Sequence, residues 1–353
     1  MRSAAIHPAI VAALAAAALF GASTPLAKQL VGDVPALWLA GLLYLGSGIG
    51  LTVVRALRDR GWQSPQISSG EWPWLGGAIL FGGVIAPVLL MIGLSRSSAA
   101  AASLLLNLEA VLTAILAWIA FRESTDARIV SGMLLIIAGG VALSWPSRAG
   151  TSQEWLGPVA IAGACLCWAI DNNLTRRISA SDAVFVAGIK GLVAGVVNAV
   201  LATLLLAPVP AAATLGLAML LGFFGYGLSL TLFVLSLRGL GTARTGAYFS
   251  TAPFIGAGIA IIFFGEATTP LFWVAAALMA AGVWIHLTER HEHDHQHEAI
   301  EHTHVHEHDA HHQHPHDFAW EDGSSHSHLH RHKPLTHRHA HFPDIHHGHG
   351  HRS

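Results

Sequence analysis

The sequence predicts an all-α membrane protein of ten transmembrane helices, formed by two inverted five-helix repeats. Three observations lead to this prediction: the composition, a series of apolar windows of bilayer-spanning length, and a match between the two halves of the chain. Of the 353 residues, 53% are hydrophobic and 11% are charged, and the mean hydropathy is +0.51. Such a chain is too apolar and too poor in charge for a soluble domain.

Apolar windows long enough to cross a bilayer follow one another along most of the chain and are joined by short loops. We number the ten expected helices spans 1 to 10. The first window has the length and the leading Arg2 of a signal peptide, but a similar segment recurs in the second half, so we expect it to be a span. The windows fall at about residues 9–27, 34–54, 74–94, 98–121, 128–145, 156–174, 183–207, 213–237, 241–264 and 270–288.

Positive charge predicts the orientation of the spans. With the N-terminus inside, the outer loops hold only Lys28, Arg96 and Arg148. The positive-inside rule therefore predicts a multi-pass protein of the inner (cytoplasmic) membrane with both termini in the cytoplasm. The segments on the inner side carry Arg2, Arg55, Arg58, Arg60, Arg122, Arg128, Arg176, Arg177, Arg238, Arg244 and Arg290.

The two halves of the chain match each other. The segment LSRSSAAAASLLLNLEAV, which begins at Leu94, aligns without a gap with LRGLGTARTGAYFSTAPF, which begins at Leu237. Likewise AALFGASTPLAK in span 1 aligns with CLCWAIDNNLTR in span 6, with Phe20 on Trp168. Five helices per copy is an odd number, so the copies enter the membrane in opposite directions, as in alternating-access transporters. Shared Ala, Leu and Gly content makes chance matches easy, but the order and the near-constant offset favour a repeat.

Three blocks of the sequence resemble the drug/metabolite transporter superfamily in its ten-helix form, which is built from two EamA-type repeats. They are SLLLNLEAVLTAILAWIAFRE in span 4, CWAIDNNLTRR in span 6 and GAYFSTAPFIGAGIAIIFFGE in span 9. The resemblance covers roughly residues 9–288. It implies a ten-helix bundle with a central cavity and the transport of small solutes, often by exchange or proton coupling. The family usually has a cation in spans 2 and 7. Span 7 has Lys190, whereas the matching place in span 2, near Leu43 and Tyr44, is uncharged.

Glu109 carries a full charge within the apolar run LLLNLEAVLTAIL of span 4. It lies about 11 residues into the span, or roughly 16 Å deep at 1.5 Å per residue, near the midplane. An ionised side chain facing lipid there would cost about 2.5 to 3.5 kcal/mol. We therefore expect Glu109 to face the central cavity and to bias the transport cycle through proton coupling, with Lys190 as a counter-charge. A carboxyl kept neutral or paired for fold specificity is the alternative.

Other polar residues in the spans are candidates for the transport pathway, each with a structural alternative. Asp171 can reach Lys190, or it can be neutralised by Arg176 or Arg177, and Lys190 can snorkel to the interface. The seam of small residues that includes Asn107 favours helix packing over solute contact. The full set of pathway candidates is Glu109, Asn107, Trp168, Asp171, Asn172, Asn173, Lys190, Asn198, Tyr248 and Ser250.

The composition changes at His291 to H-x-H repeats interspersed with acidic residues, which cannot build a core. We expect residues 1–148 and 149–290 to be the two EamA-like repeats and 291–353 to be a disordered cytoplasmic tail. Imidazoles at this spacing can converge on divalent zinc, nickel, cobalt or copper, and pH sensing is the alternative. No other cofactor is expected. The candidate ligands are His291, His293, His295, His297, His302, His304, His306, His308, His311, His312, His314, His316, His326, His328, His330 and His332.

These features favour a secondary transporter of a small solute, acting by alternating access in efflux or exchange of a metabolite or drug-like compound, with a metal-binding regulatory tail. The alternatives are a transporter of a divalent metal or metal complex that the tail buffers, and a membrane-anchored metal sensor without transport. The spans lack the His, Cys and multiple carboxylate ligands of a bare-metal pathway. There is no P-loop or nucleophile motif, so we do not expect an enzyme. Expected partners are a small-molecule substrate and membrane lipid, not nucleic acid, and a homodimer stays open.

Overall fold

The computed structural model describes most of the helical part of the chain and four short segments beyond it. The described residues are 8–59, 67–121, 127–145, 155–175, 178, 182–288, 292–297, 301–306, 326–331 and 335–340. The chain divides into two compact units, Met1–Glu289 and Arg290–Ser353.

The first unit is helical along the predicted spans, and the chain is an all-α membrane protein. The helices are Pro8–Leu30 (span 1), Ala36–Arg58 (span 2), Trp72–Ala78, Ile79–Ile85 and Ala86–Arg96 (span 3), Ala99–Leu105 and Leu108–Phe121 (span 4), Ala127–Ser144 (span 5), Leu156–Thr175 (span 6), Ala183–Leu204 (span 7), Ala212–Gly222, Phe223–Leu228 and Ser229–Phe249 (span 8 and the start of span 9), Ala252–Phe264 (the rest of span 9) and Pro270–Leu287 (span 10).

Eight of the described helices are long and apolar enough to cross a bilayer. The two remaining spans depart from that criterion for different reasons. Span 6 has sufficient length, but Asp171, Asn172 and Asn173 near its end lower its mean hydropathy. The described helix of span 9, Ala252–Phe264, is apolar but has only 13 residues.

The break between spans 8 and 9 differs from the sequence expectation, which placed a loop near residues 238–240. The helix Ser229–Phe249 continues through that stretch, and the interruption comes at Ser250 and Thr251. Pro253 explains the position, because proline fits the first turn of a helix and disrupts its interior. Span 4 is interrupted at the equivalent place, at Leu106 and Asn107.

Spans 3 and 8 each contain a π-helical segment, which the sequence analysis did not predict. These are Ile79–Ile85 and Phe223–Leu228. The offset that aligns Leu94 with Leu237 also aligns Ile85 with Leu228, so the segments end at equivalent positions of the two repeats. π turns are rare in proteins, and those that occur often lie at functional sites.

Spans 2 and 7 approach each other closely through glycines. A Cβ added at Gly195 would lie 2.6 Å from the backbone nitrogen of Leu45, and one added at Gly48 would overlap the backbone of Leu192. These contacts exchange under a shift of 147 residues, since 192 − 45 and 195 − 48 both equal 147. The two spans therefore cross on the pseudo-twofold axis that relates the repeats.

Large apolar side chains cover the outside of the bundle. Ile262 and Phe263 at the end of span 9 are 75% and 76% exposed, and Ile119 in span 4 is 69% exposed. Such an exterior is unfavourable in water and favourable in hydrocarbon. The chain is therefore a multi-pass membrane protein.

The second unit contains four strands where we expected disorder. β1 (Glu292–His297) pairs with β4 (Leu335–Ala340), and β2 (Glu301–His306) pairs with β3 (His326–Arg331), both antiparallel. These four segments depart from the expected disorder, because H-x-H repeats have the two-residue period of a strand. For the tail as a whole, disorder stays a prediction. The other candidate ligands lie outside the described residues: His291, His308, His311, His312, His314, His316 and His332.

The glycine contact between spans 2 and 7 yields a stability prediction. Gly48→Ala should destabilise the bundle by about 1–3 kcal/mol, because the added methyl group must displace the backbone of span 7. The melting temperature of the detergent-solubilised protein measures the effect. Gly76→Ala in span 3 is the matched control, since a Cβ there meets nothing within 4 Å. Equal melting temperatures for the two variants would contradict the described packing.

Candidate functional site

A mostly buried ion pair joins spans 6 and 7. The ammonium group of Lys190 donates to both carboxylate oxygens of Asp171 at 2.6 Å. The Thr175 hydroxyl, one helical turn after Asp171, donates to the same carboxylate at 2.9 Å. The side chains of Asp171 and Lys190 are 8% and 16% exposed. Of the sequence alternatives, the pairing of Asp171 with Lys190 is the one observed, while Arg176 and Arg177 lie outside the described residues.

The π segment of span 3 lies directly against this pair. A Cβ added at Gly82 would collide with the carboxylate of Asp171. The carbonyl oxygen of Gly82 accepts hydrogen bonds from the Tyr44 hydroxyl at 2.6 Å and from the Trp168 indole at 3.0 Å. The next carbonyl, that of Gly83, accepts from the Asn198 amide at 3.2 Å. Span 3 is thus bonded to spans 2, 6 and 7 around the pair.

Glu109 lies beside the pair, between spans 4 and 6. Its carboxylate accepts a hydrogen bond from the Asn172 amide at 2.9 Å, and the same amide lies 3.3 Å from the Thr113 hydroxyl. Asn173 donates to the Thr113 carbonyl at 3.3 Å. Glu109 is partly exposed and Asn172 is exposed. The ammonium group of Lys190, expected as the counter-charge of Glu109, is hydrogen-bonded to Asp171 and attracts Glu109 from a longer range, because Asp171 and Asn172 leave span 6 in different directions.

The other pathway candidates make contacts of their own. Asn107 is 5% exposed, fills the interruption of span 4 and donates to the Leu104 carbonyl at 2.8 Å. Its amide also lies 4.0 Å from the sulfur of Met279 in span 10. Asn198 is fully buried behind span 3. Tyr248 and Ser250 flank Phe249, whose ring packs on Phe20 of span 1.

Sequence reasoning missed several residues of this site. Tyr44 was noted only as part of an uncharged position, and Gly82 was not noted at all. A tyrosine in the interior of an apolar span is itself a signal, because its hydroxyl needs a partner there. A Gly-Gly pair in span 3 is a weaker signal, since glycine also serves plain helix packing.

Charge is found in only one of two sites that the repeat makes equivalent. Gly225 of the second π segment lies against Ser23 as Gly82 lies against Asp171. We call the charged site the polar half and its equivalent the apolar half. The polar half comprises Glu109, Asp171, Asn172 and Lys190. In the apolar half, the equivalents of Glu109, Asp171 and Lys190 are Ala252, Ser23 and Leu43.

Ionic contacts also join the repeats at both ends of the bundle. At one end, the guanidinium of Arg58 lies 2.5 Å and that of Arg55 3.1 Å from the carboxylate of Asp182, which begins span 7. Burial raises the pKa of Asp182, but hydrogen bonds from Arg58, Arg55 and the Val184 N–H lower it by more than burial raises it. The resulting pKa is about 2, so the carboxylate stays ionised. At the other end, the carboxylate of Glu266 accepts from the first two N–H groups of span 4 at 2.7 Å.

Inverted five-helix repeats with a charged site in one of two equivalent places are typical of a membrane transporter, and comparison with known proteins shows the family. The model of the EamA-like transporter family matches residues 7–145 and again residues 155–288. The chain belongs to the EamA-like transporter family. The two matches coincide with the two repeats and leave the histidine-rich tail outside.

Two individual proteins show the same relationship. An "Uncharacterized transporter" of Methanothermobacter thermautotrophicus (strain Delta H) is 28% identical over 296 residues, which cover 77% of this chain and 84% of that protein. A protein of known crystal structure aligns with a TM-score of 0.58 and 20% identity, over 78% of this chain and 94% of its own. At that identity the likeness concerns the fold alone.

Proposed function

We propose that this transporter moves a small organic solute by alternating access, in efflux or exchange, and that the polar half binds the solute and a coupling proton. The observation that carries the proposal is the confinement of charge to one of two equivalent sites. Charges within a membrane are costly and by default indicate function. Helix packing alone does not require them, because the apolar half packs in the same way without them. Transport, rather than catalysis, is the activity this arrangement supports.

Within the polar half, the charges differ in how they are balanced. Asp171 and Lys190 neutralise each other through their bidentate contact. The contact described for the carboxylate of Glu109 is with the amide of Asn172, which carries no charge. Glu109 is therefore the group whose charge a proton, or a cationic part of the solute, would balance. Loading and release of a proton there would couple the transport cycle to a pH gradient.

Transport of a divalent metal or metal complex is the second candidate function, and the tail favours it. Within the part of the chain whose side chains are described, no group of three or more His, Cys, Asp or Glu residues is placed to hold a metal ion. A metal pathway through the bundle would need such ligands. We therefore propose an organic solute for the bundle and assign metal binding to the tail.

The register of β2 and β3 supports metal binding by the tail, in a regulatory role. Residues two apart on a strand share a face, and directly opposed residues have Cβ atoms about 4.5–5.5 Å apart. The register therefore places six histidines on one face of this two-stranded ribbon, a spacing suited to zinc, nickel, cobalt or copper. The opposed pairs are His302 with His330, His304 with His328, and His306 with His326.

The arginine distribution supports a cytoplasmic location for both termini, and so for the tail, in the inner membrane. A tail in the cytoplasm would meet the metal ions that the cell takes up. A homodimer remains a prediction, which the mass of the detergent-solubilised protein would test.

Glu109→Gln tests the coupling role. The variant keeps the shape of the side chain but cannot exchange a proton, so it should fold normally and lose transport driven by a pH gradient. A thermal-shift screen of metabolites and drug-like compounds first identifies a solute, whose flux is then measured in proteoliposomes at several pH values.

The control is Glu71→Gln, the same chemical change at a partly exposed position before span 3, where the side chain accepts a hydrogen bond from the Ser68 N–H. It should keep both the rate and the pH dependence. If Glu109→Gln also transports at the wild-type rate with unchanged pH dependence, Glu109 is a structural hydrogen-bonding residue.

Reporter fusions test the orientation. A reporter that is active on one side of the membrane should give opposite results after Ser147 and after Ser353. Ser147 follows span 5, which is expected to end outside, and Ser353 follows span 10, which is expected to end inside. The same result at both positions would show that the topology is wrong.

An exchange of neighbouring residues tests the histidine face of the tail. The double variant Thr303→His with His304→Thr keeps the composition but moves one histidine to the other face of β2. Loss of an outer partner of a metal ligand costs about 10–100-fold in affinity, and loss of a ligand should cost at least as much. Competition between full-length protein and a chromogenic chelator for Ni²⁺ measures the affinity.

Deletion of residues 291–353 completes this test. The truncated protein should stay folded and inserted, lose Ni²⁺ binding, and largely keep transport of the organic solute. An exchange variant with unchanged Ni²⁺ affinity would mean that composition alone binds the metal. Loss of a metal flux on truncation would favour the metal-transport alternative.

A further inference from the structure

We infer that Tyr44 and Trp168 are positioning residues that hold the π segment of span 3 over the Asp171–Lys190 pair and so control access to it. The inference rests on the proposed function in one respect, that the pair belongs to the transport site. It adds the element that covers the site and the two side chains that fasten it.

The fastening point is a single backbone carbonyl. A carbonyl oxygen has two lone pairs, and that of Gly82 receives the Tyr44 hydroxyl at 2.6 Å and the Trp168 indole at 3.0 Å. Tyr44 comes from span 2 and Trp168 from span 6, so the two bonds tie span 3 to both repeats. Trp168 is only 8% exposed, which shields its bond from competing water.

The covering depends on two adjacent glycines. Gly82 leaves no space between the backbone of span 3 and the carboxylate of Asp171. A Cβ added at the next residue, Gly83, would lie 2.6 Å from the Cβ of Ala194, one turn beyond Lys190 on span 7. Span 3 is thus in contact with both helices that carry the pair. If span 3 rotates about its axis so that a larger residue takes the place of either glycine, span 3 must move away from spans 6 and 7.

The apolar half provides an internal comparison. It has an equivalent π segment, in which Gly225 lies against Ser23. A Cβ added at Gly225 would lie 2.6 Å from the Cβ of Ser23. The equivalents of Tyr44 and Trp168, however, are Gly191 and Phe20, neither of which has a hydrogen-bond donor in its side chain. A π segment therefore forms without such donors. In the apolar half Tyr226 of the π segment is hydrogen-bonded with Ser23 instead. Among the described residues, side-chain donors to the carbonyl of this glycine occur where the charges occur, which connects their role with the pair.

Amine labelling measures access to the pair directly. The chain has three lysines, Lys28, Lys190 and Lys333, so peptide mass spectrometry can follow each one. The full-length protein in lipid nanodiscs, without solute, is treated with the N-hydroxysuccinimide ester of acetic acid. The rate at Lys190 is expressed relative to the same site in denatured protein. Wild-type protein should label slowly at Lys190.

Tyr44→Phe and Trp168→Phe should each speed labelling of Lys190 about two- to tenfold, the effect expected from one net hydrogen bond. Gly82→Ala should speed it further, because the added methyl group displaces the Asp171 carboxylate. Ser23→Ala and Gly225→Ala, the matched changes in the apolar half, should leave the rate unchanged. Lys28 lies in the last turn of span 1 and donates to the Leu94 carbonyl. Its labelling rate reports general loosening of the bundle.

Three results would overturn the inference, and the first two are labelling of wild-type Lys190 at the denatured rate and an unchanged rate in both Tyr44→Phe and Trp168→Phe. Equal acceleration at Lys190 and Lys28 would also do so, because it would show a merely structural role. These two variants each remove one donor and keep the ring or most of it, so the test does not depend on Gly82→Ala folding. Since no solute is present, a failure of the proposed transport leaves the labelling result intact.

Discussion

The bidentate contact between Lys190 and Asp171 is the interaction on which the arrangement of the polar half depends. Two opposite charges within a bilayer must stay paired, because either one alone would be strongly destabilising. The pair joins spans 6 and 7, and the backbone of span 3 lies directly against the carboxylate of Asp171. Glu109 and Asn172 then lie on the neighbouring face of span 6, next to the pair but not part of it.

The two repeats show how a symmetric scaffold can hold an asymmetric site. Backbone features recur in both: a π segment in spans 3 and 8, and an interruption in spans 4 and 9. The side chains differ where chemistry is concerned, as Asp171 against Ser23 shows. The scaffold is thus independent of the charges. With the proposed solute site in the polar half, a change of solute needs new side chains there and no new backbone.

Much of this architecture could be predicted from the sequence, because hydrophobic length and repeat offset are local properties of the chain. The ten helices, the repeat and the pairing of Asp171 with Lys190 were all within reach. The cover over the pair was not, because the contact of Gly82 with Asp171 joins residues far apart in sequence and depends on a π turn that no residue pattern specifies. How directly Lys190 would contact Glu109 was out of reach for a similar reason. Helical spacing gives the direction of a side chain within one span but not the neighbour it will meet. The strands of the tail were not expected, because a segment without apolar residues offers no core on which paired strands could pack.

The crossing of spans 2 and 7 has a consequence for how the repeats could diverge. Tyr44 and Gly191 are equivalent positions, and they face each other on the pseudo-twofold axis. A Cβ at Gly191 would lie 2.7 Å from the Cα of Gly48 and 2.9 Å from the carbonyl oxygen of Tyr44. Position 191 therefore has no room for a side chain in this packing, whereas its equivalent, Tyr44, carries one. A chain with tyrosine in both copies could not keep this crossing of spans 2 and 7, so the aromatic residue fits in one repeat alone.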